Sequence, residues 1–452
     1  MYTVDLFHPA APPHGSLTPT DTPLIDAEKL FKQPGPALER IMKIGPILAN
    51  SAVLFISCVI GLLLCEVGAR FALTASDYLS VEMVRDEVLG AVPSTHTRAG
   101  GFDSWGFRNR HVPDSSDIVA IGDSHTYGNT ARMEDAWPSV LERLSGRPVY
   151  NMGLGGYGPN QYFHLLQTRA IKLKPRTIVV GLYMGDDFEN AFLITYGLDH
   201  WAHLRALPKE RVNFDIWEAP PAPTWHKKIR VWLSRHSVMY QLVFHGPLLG
   251  QFQGEIQIKH AHQFSDRATA LIIPEKKIQE AFLPTGILRR LDQESESVRE
   301  GMRITFKLLA EMNEISRQNN AQFVVAIIPT KEMVFAGYLE RNSQLPLSDV
   351  IDKLLSNERL AREKTFQFLK HSQIAYVDTL PALRRSLSQE LYARTASDMH
   401  PNRNGYRVIG EAVFEELKRL PTSAEGGLRG KVTKPYDAGQ AALYRQPQPS
   451  GR

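Results

Sequence analysis

The sequence predicts a three-layer α/β/α domain built on a central parallel sheet, with one transmembrane helix ahead of it. Three observations carry this expectation. Short apolar runs at 118–121, 149–152 and 177–183 each stop at a cluster of glycine or polar residues. Segments of helical period alternate with those runs over short connections. Residues 44–65 carry no charge at all. Continuous β-branched runs are the pattern of strands buried on both faces, and strand–helix alternation is that of a doubly wound sheet.

Residues 1–43 are rich in proline, polar residues and mixed charge without a sustained period. They are expected to be a disordered tail, with a short helix at 26–31. The uncharged run 44–65 is long enough, at about 1.5 Å rise per residue, to cross a bilayer core of about 30 Å. The transmembrane helix is therefore assigned to 44–68. A cleaved signal peptide would lie nearer the start and show a small-residue cleavage site, so a retained anchor is expected, with a buried core helix as the alternative. Lys29, Lys32, Arg40 and Lys43 precede the span and only Arg70 follows closely. The excess of basic residues stays inside, which puts the tail in the cytoplasm and the rest of the chain outside. Both cysteines, Cys58 and Cys65, fall within the span, seven residues apart on one helix face. The exported part then depends on no disulfide, and neither thiol is a candidate nucleophile or ligand. No cluster has zinc or calcium spacing, and no cofactor or metal is expected.

Residues 69–113 connect the anchor to the first strand. Within them, Asp103-Ser104-Trp105-Gly106-Phe107-Arg108-Asn109 either packs Trp105 and Phe107 under the sheet edge or touches substrate at its rim. At 135–141 a helix begins, with Asp135 as a candidate cap and Pro138 in the first turn, where its missing N–H is harmless. A further helix is expected over 160–174, ending before Pro175. From 191 to 298 the period is lost. This insertion holds Trp201, Trp217, Trp225 and Trp232, and its residues 227–244 form an amphipathic helix with basic and apolar faces. Such a helix lies on a membrane, walls a cleft, or simply packs a lid. Helical period returns at 299–320, followed by a fourth strand at 323–328, a helix at 357–370, a fifth strand at 374–377 and a closing helix at 404–420. The catalytic domain is thus expected over 114–190 and 299–420, and a second disordered tail over 421–452.

Net charge is +4 and the isoelectric point 8.8. The C-terminal tail, with five basic residues against two acidic, supplies three of those four charges. The remainder is nearly neutral and has no aromatic–basic repeat, so nucleic acid is not an expected partner. No internal repeat and no phosphate-cradling loop is found.

In an open parallel sheet, ligands bind at the C-terminal ends of the strands. The first strand ends there in Gly122-Asp123-Ser124, the second in Gly153-Leu154-Gly155-Gly156, the third in Met184-Gly185-Asp186-Asp187. A serine hydroxyl needs a base to become a nucleophile, and Asp398-Met399-His400 supplies one just before the last helix. This order, over roughly 107–420, resembles the SGNH (GDSL-type) hydrolases, whose flavodoxin-like fold carries the nucleophile in Gly-Asp-Ser and the Asp and His in a late block. The resemblance implies Ser124 as nucleophile, His400 as base and Asp398 as its orienting carboxylate. Asp398 stands two residues before His400, whereas the commonest pattern has three. The shorter spacing resembles the branch containing membrane-associated polysaccharide O-acetyltransferases. Asp378, at the end of the fifth strand, is the alternative carboxylate.

Counting from Asn151 in the second block, the resemblance implies the backbone N–H groups of Ser124 and Gly156 as oxyanion donors. The third donor is an asparagine amide in the family, and here Asp186 stands in its place. An ionised carboxylate cannot donate. Either Asp186 is kept protonated beside Asp187, or Asn190 or a backbone group substitutes, or the site is weakened. Asp123 is expected to organise the turn. His125 either lines the pocket or faces the adjacent helix.

The expected activity is that of a serine esterase acting on O-acyl esters through an acyl-enzyme. Its implied partners are a small acyl ester or an acylated cell-surface glycan, and its implied place is the outer side of a bacterial inner membrane. An O-acyltransferase with the same triad, and a degenerate domain that binds glycan without turnover, are the alternatives.

Overall fold

The computed structural model describes residues 36–94, 101–208, 224–244, 269–273, 278–342, 344–393 and 398–420. The predicted C-terminal tail, residues 1–35 of the predicted N-terminal tail with its helix at 26–31, and Trp217 lie outside them; residues 36–43, expected to be disordered, are helical. The chain divides into two units, Met1–Cys65 and Glu66–Arg452. Helix α1 runs Pro36–Ala72, beyond the predicted span on both sides. Within it, Ala49–Ala72 has a mean hydropathy of 2.4 and is long and apolar enough to cross a membrane. Val53, Leu54, Phe55, Leu62, Leu63 and Leu64 on this stretch are exposed, the condition of a helix with no protein packed around it.

The second unit is organised by five parallel strands. In chain order they are Ile118–Gly122, Val149–Gly153, Thr177–Tyr183, Gln322–Ile328 and Ala375–Asp378. A small hairpin precedes them, so they are here β3, β4, β5, β8 and β9; the preceding strands β1 (Met83–Asp86) and β2 (Gly90–Pro93) pair antiparallel. Another hairpin, β6 (Thr269–Ile273) with β7 (Ile278–Phe282), intervenes in the insertion. The sheet order is β4-β3-β5-β8-β9. The order reverses between β3 and its neighbours β4 and β5, the switch point at which such sheets open a crevice. Every residue of β3 and β5 is buried, as their unbroken apolar composition requires.

Helices cover both faces. Trp137–Ser145 packs with the closing helix Arg403–Arg419, and Asp187–Gly197 packs with the long helix Glu296–Gln318. The closing helix is capped by Asn402, whose side chain accepts the N–H groups of Asn404 (2.8 Å) and Gly405 (3.2 Å). Asp135 does not cap its helix: Ala136 holds that position and Asp135 lies in the preceding 3-10 turn. The predicted helix 160–174 is Pro159–Thr168 followed by a 3-10 turn, Ala170–Leu173. The helix predicted at 357–370 begins earlier, at Ser348. The insertion begins later than position 191, because Asp187–Gly197 continues as one helix through that point.

Three glycines pair side by side across the sheet, Gly122 with Gly153 and Gly122 with Gly181. Together they form a floor without side chains. A Cβ on Gly153 would come within 2.2 Å of the Tyr127 amide nitrogen. One on Gly122 or Gly181 would meet Thr126 Oγ1 at 2.1 or 2.4 Å. The single helical turn Ser124–Tyr127 therefore rests directly on the strand ends.

Candidate active site

Ser124 stands at the start of that turn, with Asp123 ahead of it. The Asp123 carboxylate accepts the His125 N–H at 2.8 Å and so caps the turn. Gly128 ends it in the left-handed region, at φ +86°. The loop that follows is held from the connector. Arg108, buried, donates to the carbonyls of Gly128 (3.0 Å) and Ala131 (2.7 Å) and pairs with Asp77 at 2.6 Å. Phe107 is buried, and both Phe107 and Trp105 meet the Tyr150 ring edge-on. Of the two expectations for this segment, packing describes Trp105 and Phe107, and Arg108 braces the loop behind Ser124.

His400 arrives from the other side of the strand ends. Its position is fixed by neighbours: Pro401 bridges to Tyr392, Thr130 Oγ1 donates to the Pro401 carbonyl at 2.7 Å, and the Ala393 N–H donates to the His400 carbonyl at 3.3 Å. Its Nε2 lies 2.7 Å from Ser124 Oγ, and its Nδ1 lies 2.6 Å from Asp398 Oδ1. The same Asp398 oxygen accepts the His400 backbone N–H at 2.9 Å. Two residues of separation suffice because the carboxylate curls back onto its own turn. Burial raises the Asp398 pKa, but the His400 hydrogen bonds and charge, with help from Lys331, outweigh it, and the carboxyl is held below its ordinary value. Asp378 is elsewhere: it pairs with Arg362 at 2.6 Å and accepts the Leu380 N–H, with no link to His400.

The second block forms a turn in which the Tyr157 N–H donates to the Leu154 carbonyl. Gly156 sits at its third position with φ +79°, a conformation that favours glycine. Gly155 is the nearer to Ser124, since a Cβ there would stand 3.8 Å from Ser124 Cβ, whereas one on Gly156 would meet open space. Asn151 is a scaffold residue. Its amide donates to the Thr126 carbonyl at 2.9 Å, and its oxygen accepts the Gly153 N–H at 2.8 Å.

Asp186 and Asp187 have different surroundings. Asp187 is buried, accepting the Tyr162 hydroxyl and the Tyr183 N–H, each at 2.8 Å. Asp186 has a side chain only 24% exposed; its Oδ2 lies 3.7 Å from Arg290, and its Oδ1 is buried with no partner. Burial first, and then the Asp123 charge, push the Asp186 pKa up to about 7, against the pull of Arg290 and His400. The chief like charge acting on Asp186 is thus Asp123, a neighbour that the sequence did not indicate, in place of the expected Asp187. Burial and the same Asp123 charge raise Asp187 as well. Asn190 packs against Gly158, and its backbone N–H donates to the Asp186 carbonyl at 2.8 Å.

Among the described residues, Asp123, Asp186 and Asp187 form a group whose oxygens lie within 4.8 Å of one another. Asp123 is engaged with His125 and Asp187 with two tyrosines.

His125 is buried beneath the triad. Its Nδ1 lies 3.1 Å from Asp123 Oδ2, its ring stacks on Tyr183, and its centroid is 4.7 Å from that of His400. Burial lowers its pKa despite Asp123, which leaves it neutral. Arg108, Tyr183 and Arg290 are the site neighbours that the motifs did not single out. Only Arg108 had a signal, its place in the segment before the first strand.

By its strand order and flanking helices the domain is the expected three-layer α/β/α fold on a parallel sheet, and it gathers Ser124, His400 and Asp398 at the strand ends. No protein-family model matches the chain. No curated protein matches it. Several solved structures are similar to it. A protein assigned to the G-D-S-L lipolytic family from Desulfitobacterium hafniense DCB-2 is 14% identical, with 67% of this chain and 99% of that one covered and a TM-score of 0.32. Axe2, an acetylxylan esterase from Geobacillus stearothermophilus, is 14% identical over 68% and 95%, with a TM-score of 0.30. A GDSL-like lipase from Bacteroides thetaiotaomicron VPI-5482 is 12% identical over 67% and 88%, with a TM-score of 0.30.

Proposed function

We propose that this protein is a membrane-anchored serine esterase that cleaves O-acyl esters through an acyl-enzyme. The observation that carries the reading is the unbroken chain of hydrogen bonds from Ser124 Oγ through His400 to Asp398, at 2.7 and 2.6 Å. As His400 Nε2 takes the hydroxyl proton, Ser124 Oγ attacks the ester carbonyl carbon. Asp398 holds the Nδ1–H tautomer and balances the imidazolium. Collapse of the tetrahedral intermediate breaks the ester C–O bond, and His400 returns the proton to the leaving alcohol. Water then attacks the acyl-enzyme by the same route and releases the carboxylic acid. The N–H groups of Ser124 and of the Gly155–Gly156 turn, with a protonated Asp186, are the candidate oxyanion donors.

The Asp398–His400 spacing favours a second reading, in which a sugar hydroxyl replaces water and the acyl group moves to a glycan. The two-residue Asp398–His400 spacing, which resembles that of polysaccharide O-acetyltransferases, supports a glycan substrate, and the apolar helix behind Lys29, Lys32, Arg40 and Lys43 supports a domain outside the membrane with residues before Lys43 in the cytoplasm. The purified full chain should release chromophore from short acyl nitrophenyl esters, and Ser124→Ala should not. A folded wild-type protein with no turnover, with or without a glycan acceptor, would leave only the non-catalytic binding role.

A further inference from the structure

A helix of the insertion, α6 (Trp225–His236), has its own pattern of exposure. Trp225 is 66% exposed, Ile229 49% and Trp232 58%, although each is a large apolar side chain. Their spacing of four and three residues puts them on one face, a stripe one helix long. No residue of the helix is buried, and its contacts with the rest of the protein run through its last turn. The Ser234 carbonyl accepts the Ser80 N–H at 3.1 Å and the Gln241 amide at 3.0 Å, and Arg235 pairs with Glu82 at 2.8 Å.

The helix is fastened to the end of α1. The Glu66 carboxylate accepts the Ser237 hydroxyl and the N–H groups of Val238 and Met239, at 2.9 to 3.0 Å. It thereby caps the following helix, α7 (Val238–Phe244). Arg70 donates to the His236 carbonyl at 2.6 Å. Glu66 lies six residues, about 9 Å at helical rise, from the end of the apolar stretch Ala49–Ala72. A helix fixed to Glu66 and Arg70 then stands at the boundary between lipid and water. Lys227, Lys228 and Arg230 on α6 have no carboxylate partner among the described residues, so their charge is available. Tryptophan with uncompensated lysine and arginine is the composition of a helix that lies in the headgroup layer of an anionic membrane.

We propose that α6 is an interfacial helix that seats Trp225, Ile229 and Trp232 in an anionic phospholipid surface, setting the catalytic domain against the membrane. This rests on Ala49–Ala72 crossing the bilayer. The test uses the full chain in proteoliposomes, spin-labelled at one cysteine and probed with oxygen and a water-soluble nickel complex. One sample carries the label at native Cys58 with Cys65→Ser; the other carries Ile229→Cys with Cys58→Ser and Cys65→Ser. In vesicles containing phosphatidylglycerol, both labels should be open to oxygen and shielded from nickel. Replacing Lys227, Lys228 and Arg230 by Gln, or using phosphatidylcholine alone, should strip the shielding at position 229 and leave it at Cys58. A label at 229 open to nickel while Cys58 is shielded overturns the proposal and keeps the anchor. Nickel access at both positions overturns the anchor and the proposal with it. Spin–spin broadening at 229 would mean that a second copy covers the stripe, which also overturns it.

Discussion

The imidazole of His125 lies on the phenol ring of Tyr183, with centroids 3.8 Å apart and planes 23° from parallel. His400 lies against the same His125 ring, with centroids 4.7 Å apart, so the imidazole that would act as base is supported by a buried one. His125→Ala should remove that support and lower kcat by about 10- to 100-fold, the scale of a 1 Å misplacement, with KM little changed. His125→Phe should restore part of kcat through the ring, though it leaves Asp123 without its partner. Equal losses in both variants would show that the ring does not position His400. Because burial lowers the His125 pKa below its ordinary 6.5, the unfolded chain binds the proton more readily. Stability should therefore be present above pH 6.5 and be lost as the pH falls through the folded-state value. Denaturant melts across the acid range, compared with those of His125→Phe, read this out.

Ser124 and His400 act as one unit if their 2.7 Å contact is the catalytic one. Ser124→Ala and His400→Ala should each reduce kcat by several orders of magnitude, and the double variant should be no worse than either. Additive losses in steady-state kinetics would count against a shared relay.

Asp186 should make activity fall on the alkaline side. With its pKa pushed up to about 7, it is a donor below that pH and a repelling carboxylate above it. Asp186→Asn keeps a donor at all pH values, so it should preserve or raise activity and remove the alkaline loss in a kcat/KM profile. The folded pKa lies above the ordinary 3.8, so the native state holds the proton longer than the unfolded chain. Stability from this group is then full below pH 3.8 and declines as the pH rises to about 7, and Asp186→Asn should flatten that decline. A folded Asp186→Asn variant that lost most activity would assign the carboxylate a different role.

Gly153→Ala should damage the site without touching any triad residue. The added methyl would meet the backbone of Thr126 and Tyr127 at 2.2 to 2.8 Å, and backbone cannot swing aside as a side chain can. Overpacking of this kind typically costs about 1–3 kcal/mol, and the shift would be felt at Ser124. Chemical denaturation and esterase assays of the same sample should both register it; an active, equally stable variant would show that the turn has room to rise.

The sheet and the triad were legible because each depends on short-range signals. Buried parallel strands announce themselves as unbroken apolar runs, and Ser124, Asp398 and His400 each sit at a strand or helix boundary that glycine or asparagine marks. What the sequence left open depended on distance in space. Arg108 and Asp77 are 31 positions apart, and Asp186 and Arg290 more than 100. No period along the chain encodes such meetings. The error at Asp135 has a local cause: Pro138 marked the first turn, but not which residue before it would turn out of the helix. The choice between Asp187 and Asp123 as the charge acting on Asp186 likewise turned on where β3 and β5 lie side by side.

The glycine floor of Gly122, Gly153 and Gly181 has a thermal consequence. The serine turn rests on three adjacent strands, the edge strand β4 and its inner neighbours β3 and β5, with no flexible loop carrying it, so its geometry survives as long as those strands remain paired. Partial opening at the far edge, β9, or of the insertion would leave Ser124 where it is, whereas loss of β4 would take away the Gly153 support. Heating should therefore extinguish the serine's reactivity in the same cooperative step that melts the sheet, and not in an earlier, local one.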